Sequence, residues 1–182
     1  MKRVIITPPD LSGAPLQELK SWLAISTPQH DAALLPLLHA ACEMCEAFTG
    51  QLPVQTELEE TLAPLARWQR LASAPVTAIT TLDSIAADGS REAVAADGYE
   101  IDIDGGASGY VRVLRSIDAT RIAVRFTAGI ASDWGLLPDG IRHGILRLAA
   151  SLYRRRDESE SGAMPPAAVA ALWRPWRQLR IA

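Results

Sequence analysis

The side chains best suited to chemistry lie in residues 39–50, HAACEMCEAFTG, where His39, Cys42 and Cys45 recur at three-residue spacing around a Cys-x-x-Cys. Thiolates and imidazoles at such spacing are the donors of a zinc site or the sulfurs of a redox pair. A structural zinc site takes four donors, commonly from two ligand pairs. The second pair is missing here, because the chain has no third cysteine and its other histidines are His30 and His143. A redox pair belongs at a helix start, whereas this motif lies inside a helical pattern. Leu34, Leu38, Ala41, Cys45 and Phe48 recur at alternating four- and three-residue steps, the period of one helix face. Cys45 therefore reads as part of a core stripe, with Cys42 at its edge, and free cysteine packs as a small hydrophobe. Neither a metal nor a cofactor is expected.

Three further stretches invite a chemical reading. EIDIDGG (100–106) resembles the opening of a calcium loop, but Val111 stands where the bidentate glutamate belongs. Alternation on a strand explains the acids more simply, and Asp83, Asp88, Glu100, Asp102 and Asp104 are expected to form an acidic sheet face. GGASG (105–109) lacks the spacing and the lysine of a phosphate loop, and no nucleophile-elbow, Ser-x-x-Lys or zinc-protease motif occurs. The pattern names no enzyme. Arg154, Arg155 and Arg156 close a helix, where cations complement the dipole; phosphate contact is the rival reading.

The tail LWRPWRQLRI carries Trp173, Trp176 and Leu179 at three-residue intervals, and Arg174, Arg177 and Arg180 likewise. Three residues per turn in a polyproline-like conformation would set apolar groups on one edge and guanidinium groups on another. Trp and Arg dominate binding hot spots, so Leu172, Trp173, Arg174, Trp176, Arg177, Leu179 and Arg180 form a candidate docking arm. The alternative is that the tail folds back onto its own core.

Several elements must position these residues. Helices are expected at 15–24 (Leu16, Leu19, Trp22 and Leu23 on one face), at 31–49 with Asp31 as cap and Gly50 as stop, and at 139–156 along Ile141, Ile145, Leu148, Ala149 and Leu152. Residues 55–128 read as strands, at 76–82, 99–104, 110–114 and 121–128, with turns at the Asp-Gly pairs 88–89 and 97–98. Residues 60–71 read as strand and loop, and a short helix at 165–173 follows an acidic linker. The fold class is mainly α with a β insertion (α+β): a helical bundle carrying a small antiparallel sheet, plus a C-terminal arm. The body spans 1–156, and the linker, short helix and arm span 157–182.

Net charge is −3, but it is divided: 10 basic and 18 acidic side chains precede Arg142, and 8 arginines against 3 acids follow from there. A basic end on an acidic body is thus expected. The three-residue apolar run in MKRVIITPPD is too short for a signal peptide, and no stretch reaches the roughly 18 apolar residues of a membrane span. With two cysteines and no disulfide framework, a reduced cytosolic origin is expected.

Taken in order, LQELKSWLAI, DAALLPLLHAACEMCEAFTGQLPVQT, APVTAITTLD, YEID, VRFTAG, LPDGIRHGILRLAASLYRRRD and LWRPWRQLRI resemble the head–tail connector (adaptor) proteins of long-tailed phages and gene transfer agents. The likeness runs from about residue 16 to 180 and rests on order and spacing. The chain departs from the pattern at Cys42 and Cys45, and in carrying TELEETLAPL where a Trp-rich strand often stands. The resemblance implies a non-enzymatic virion protein made in the bacterial cytoplasm. It implies a ring, commonly dodecameric, that binds the portal protein through the tail residues named above. That ring extends the DNA channel and offers a platform to the next tail-joining protein (stopper or tail). DNA would pass without sequence-specific binding, the acidic face would look toward channel or solvent, and the free chain would be monomeric. Two other readings are open: a DNA-binding packaging or regulatory factor using the basic C-terminal region, and a metal-binding protein built on Cys42 and Cys45.

Overall fold

The structure, a computed structural model, describes residues 2–115, 117, 119–155 and 165–178. It divides into two compact units, Met1–Pro8 with Gln55–Gly129 and Pro9–Val54 with Ile130–Ala182. The short C-terminal helix belongs to the second unit, so the division differs from the boundary expected at residue 156.

The first unit is all β. Strands β1 (Lys2–Thr7), β2 (Thr56–Leu62), β3 (Gln69–Arg70), β4 (Val76–Ile85), β5 (Arg91–Ala93), β6 (Tyr99–Ile103), β7 (Gly109–Val113) and β8 (Arg121–Ala128) form two antiparallel sheets. One sheet has the order β1-β2-β8-β4-β5 and the other β3-β7-β6. The α+β class is as expected, but the β part is larger than one small sheet. Strand β1 joins it, although its sequence stands out only as a short apolar run. Alternation sets the faces: Leu58, Leu62, Ile122, Val124 and Phe126 are buried, while Glu57 and Thr127 pair on the other side. Gly109 marks where the sheets meet, since a Cβ there would lie 2.8 Å from the Leu71 side chain and 3.0 Å from that of Val76.

The second unit is helical: α1 (Ala14–Leu23), α2 (Asp31–Thr49), α3 (Asp139–Arg154) and α4 (Ala167–Trp173). Leu34, Leu38, Ala41 and Cys45 of α2 are fully buried, as are Ile141, Ile145, Leu148 and Ala149 of α3, and α2 ends at Gly50 in the left-handed region (φ 76°). Two expectations are corrected. His30 takes the cap position of α2, while Asp31 is helical and instead pairs with the buried Lys20 at 2.7 Å. Trp22 lies off the core stripe, exposed and edge-on to His143 at 5.0 Å. The two passes of chain at the edge of this unit are pinned together by Ile130 N–H donating to Leu52 O (2.9 Å) and by a parallel bridge between Val54 and Ala131.

Candidate functional site

The Cys-x-x-Cys lies within the helical core. Cys45 is fully buried and Cys42 nearly so, both as free thiols. Burial pushes the Cys42 thiol up to about 12, and it raises Cys45 as well. A thiol so shifted is neutral at physiological pH and is a poor nucleophile or ligand. Among the described residues no group of three or more His, Cys, Asp or Glu side chains is gathered to hold a metal ion.

The five acids are divided between two sheets. Asp83 lies on β4 and Asp88 in the β4–β5 turn, hence on the five-stranded sheet, whereas Glu100 and Asp102 lie on β6 and Asp104 just beyond it, on the other sheet. Strand alternation assigns a face but not a sheet, so the sequence could not tell these two groups apart. Asp88, Asp102 and Asp104 are exposed, while Asp83 and Glu100 are half-buried. Several have local duties. Asp88 accepts from the Ser90 hydroxyl (2.7 Å) and backbone N–H (2.9 Å), and the hydroxyl bond most of all holds its carboxyl below the ordinary range. Asp104 accepts from the backbone N–H of Ser108 (2.8 Å) and Gly106 (2.9 Å), which lowers it likewise. Glu100 pairs with Arg112, whose guanidinium stacks 4.6 Å from the Trp68 ring.

The most enclosed carboxylates among the described residues, on β2, are not among the candidates picked from the sequence. Glu60 is fully buried and accepts from Ala72 N–H (2.8 Å), Ser73 N–H (2.9 Å) and the Ser73 hydroxyl (2.8 Å), fastening the segment between β3 and β4. Its neighbour Glu59, on the other face, takes a two-pronged bond from Arg91 (2.8 Å each), with Arg125 at 3.8 Å. The Arg91 bonds hold the Glu59 carboxyl below its ordinary value. Parity along TELEETL was the available signal, since Glu60 falls in step with Leu58 and Leu62.

The tail is partly core. Trp173 is completely buried, with its indole N–H on the Ile141 carbonyl (3.3 Å) and its ring 6.0 Å from that of Phe48. It fits because residue 144 is glycine: a Cβ there would come within 2.2 Å of the indole nitrogen. Residues Arg174–Trp176 continue as a 3-10 turn, which shares the three-residue period of the extended form expected. Trp176 is half-buried and its carbonyl accepts from the Gln51 side chain, Arg177 lies over the Phe48 ring, and Gln178 N–H donates to Thr49 O (2.8 Å). Trp173 is thereby removed from any surface contact. Arg174 and Arg177 remain exposed and Leu172 is half-buried. Leu179 and Arg180 lie outside the described residues, as does Arg156.

Arg154 and Arg155, with Arg147, Ser151, Trp22, Pro166 and Val169, line a cleft of about 310 Å³. The helix end is therefore also a basic, aromatic-edged recess, which the arginine run alone did not disclose.

No protein-family model matches the chain, and no curated protein is similar to it in sequence. Solved structures are. A chain from the neck of an empty gene transfer agent particle, computed with C6 symmetry, is 29% identical with a TM-score of 0.80, covering 100% of this chain and 98% of that one. A chain from the neck of the native particle, computed with C12 symmetry, is 28% identical with a TM-score of 0.78 and the same coverage. A chain of the native gene transfer agent virion gives 28% and 0.76, again over 100% and 98%.

Proposed function

We propose that this chain is a non-enzymatic structural protein of the neck of a gene transfer agent or phage-like particle, at the head–tail interface, where it forms a ring. The observation that carries the reading is the end-to-end likeness to neck chains, spanning both units at a TM-score of 0.80. An enzyme fits poorly with thiols buried in a core and carboxylates spent on turns and ion pairs. Within that role the finer reading is a head–tail adaptor that binds the portal protein, continues the DNA channel and offers a platform to the next tail-joining protein. The neck neighbours carry C6 and C12 symmetry, and a ring of twelve suits the latter.

The portal contact is assigned to the exposed Arg174 and Arg177 with the half-buried Leu172, and by sequence to Leu179 and Arg180. Removing the whole segment would be a poor test, because α4 supplies Trp173 to the core. The informative variants are Arg174→Glu with Arg177→Glu, and a chain ending at Gln178. Loss of binding to the portal protein encoded beside this chain, with unchanged thermal unfolding, supports the assignment; undiminished binding by both overturns it. The cleft lined by Arg147, Arg154 and Arg155 favours one second reading, a DNA-binding packaging factor. Duplex binding that weakens steeply with salt, in a chain that does not bind portal, would establish it instead.

A further inference from the structure

The end of α2 clasps the C-terminal segment. α2 stops at Thr49, and the last carbonyls of a helix have no partner within it. The Thr49 carbonyl takes the Gln178 N–H (2.8 Å), and the Gln51 side-chain amide donates to the Trp176 carbonyl. Between those two bonds the Arg177 guanidinium lies 5.6 Å from the centre of the Phe48 ring. The last turn of α2 has no basic residue of its own, so Arg177 brings the cation that the negative end of a helix favours. Trp176 packs beside the start of α3, where a Cβ on Gly140 would lie 3.6 Å from its indole nitrogen. We infer that Gln51 is a positioning residue for portal binding: it fixes the course of residues 174–178, so that Arg174 and Arg177 are presented in a set arrangement.

Gln51 is itself held. The buried Thr49 hydroxyl donates to the Cys45 carbonyl (2.7 Å) and accepts from the Gln51 N–H (3.1 Å), while the Gly50 N–H donates to the Glu46 carbonyl (2.7 Å). The side chain therefore starts from a fixed backbone and reaches a carbonyl 125 residues along the chain. Core packing does not call for that bond. Trp173 is the fully buried anchor of the segment, whereas Gln51, Trp176 and Gln178 are only half-buried. What the clasp governs is the freedom of the residues after α4. Fixing one residue's backbone before binding, rather than during it, is equivalent to roughly tenfold in the binding constant.

This inference rests on the portal contact proposed above, and the test separates the two. The full-length chain carrying Gln51→Met, which keeps the length of the side chain but has no N–H, is compared with Gln51→Lys, which keeps a donor of similar reach. Binding to the portal protein encoded beside this chain is measured together with urea unfolding and with amide hydrogen exchange at Gln178. Gln51→Met should bind about tenfold more weakly and exchange faster at Gln178, at a urea midpoint close to that of the natural chain. Gln51→Lys should bind like the natural chain and keep Gln178 protected. Undiminished binding by Gln51→Met, whatever the exchange shows, would overturn the positioning role and leave the portal contact standing. Binding restored by Gln51→Lys without protection at Gln178 would trace the effect to the added charge and overturn it as well. A Gln51→Met midpoint that falls as far as that of Trp173→Ala would make Gln51 a structural residue instead. Undiminished binding by Arg174→Glu with Arg177→Glu, and by a chain ending at Gln178, would overturn the portal contact and this inference with it.

Discussion

Gly144→Ala tests whether the tail is core or arm, because the two possibilities predict opposite signs. Gly144 lies inside α3, where alanine is better than glycine by about 1 kcal/mol through helix propensity alone. If nothing packed there, the substitution would stabilise the protein by that amount. In the structure the new Cβ would stand 2.2 Å from the Trp173 indole nitrogen and 2.8 Å from two ring carbons. Comfortable contact between such atoms begins near 3.5 Å, so the ring must retreat by more than about 1 Å. Retreat stretches its bond to the Ile141 carbonyl and disturbs its packing on Phe48. Overpacking of this kind costs about 1–3 kcal/mol. Propensity offsets part of it, and we expect a net loss of up to about 2 kcal/mol.

The assay is urea unfolding of the full chain, read as a lower midpoint at unchanged slope. A second arm closes the cycle. Trp173→Ala alone should cost about 3–5 kcal/mol as a cavity mutation of a fully buried ring. In that background Gly144→Ala should turn neutral or stabilising, because the obstacle is gone while the propensity gain remains. A stabilising Gly144→Ala in the otherwise natural chain would refute the packing argument and return Trp173 to the list of docking residues.

Other perturbations have equally definite outcomes. Glu60→Gln keeps the shape but turns an amide toward donors, so at least one of three hydrogen bonds fails; urea unfolding should show a loss of about 2 kcal/mol, with faster amide exchange at Ala72 and Ser73. Glu59 has a folded pKa lowered by Arg91, so its contribution to stability is full above the unfolded value near 4.3 and is lost as pH falls through the lower folded value. Thermal scans across that acid window should therefore show the natural chain losing more stability than Glu59→Gln; parallel curves would disprove it. Cys42 and Cys45 should resist a thiol reagent at pH 8 and react at once in denaturant, and rapid labelling of the native chain would contradict their burial.

What could be read from sequence, and what could not, follows the range of the interaction involved. α2 spans 31–49, as its apolar steps and Gly50 indicate, because period and stop signal are local. β8 spans 121–128 for the same reason. The tail could not be read this way. A three-residue period belongs equally to polyproline and to a 3-10 turn, and the choice is made by a glycine on another helix. The acidic residues fail similarly, since alternation shows that Asp83 and Glu100 each lie on a strand while sheet membership depends on distant pairings. Glu60 was hidden because an acid in an apolar register looks like an interruption until its donors, from residues 72 and 73, are seen around it.

Strand β1 is hard to read from sequence for a different reason. Each unit has an apolar interior of its own, Phe126 and Val124 in one and Trp173 and Ile145 in the other, so Val4, Ile5 and Ile6 are not needed to complete it. Hydrophobic residues on a free edge add little to folding and expose the chain to unwanted pairing.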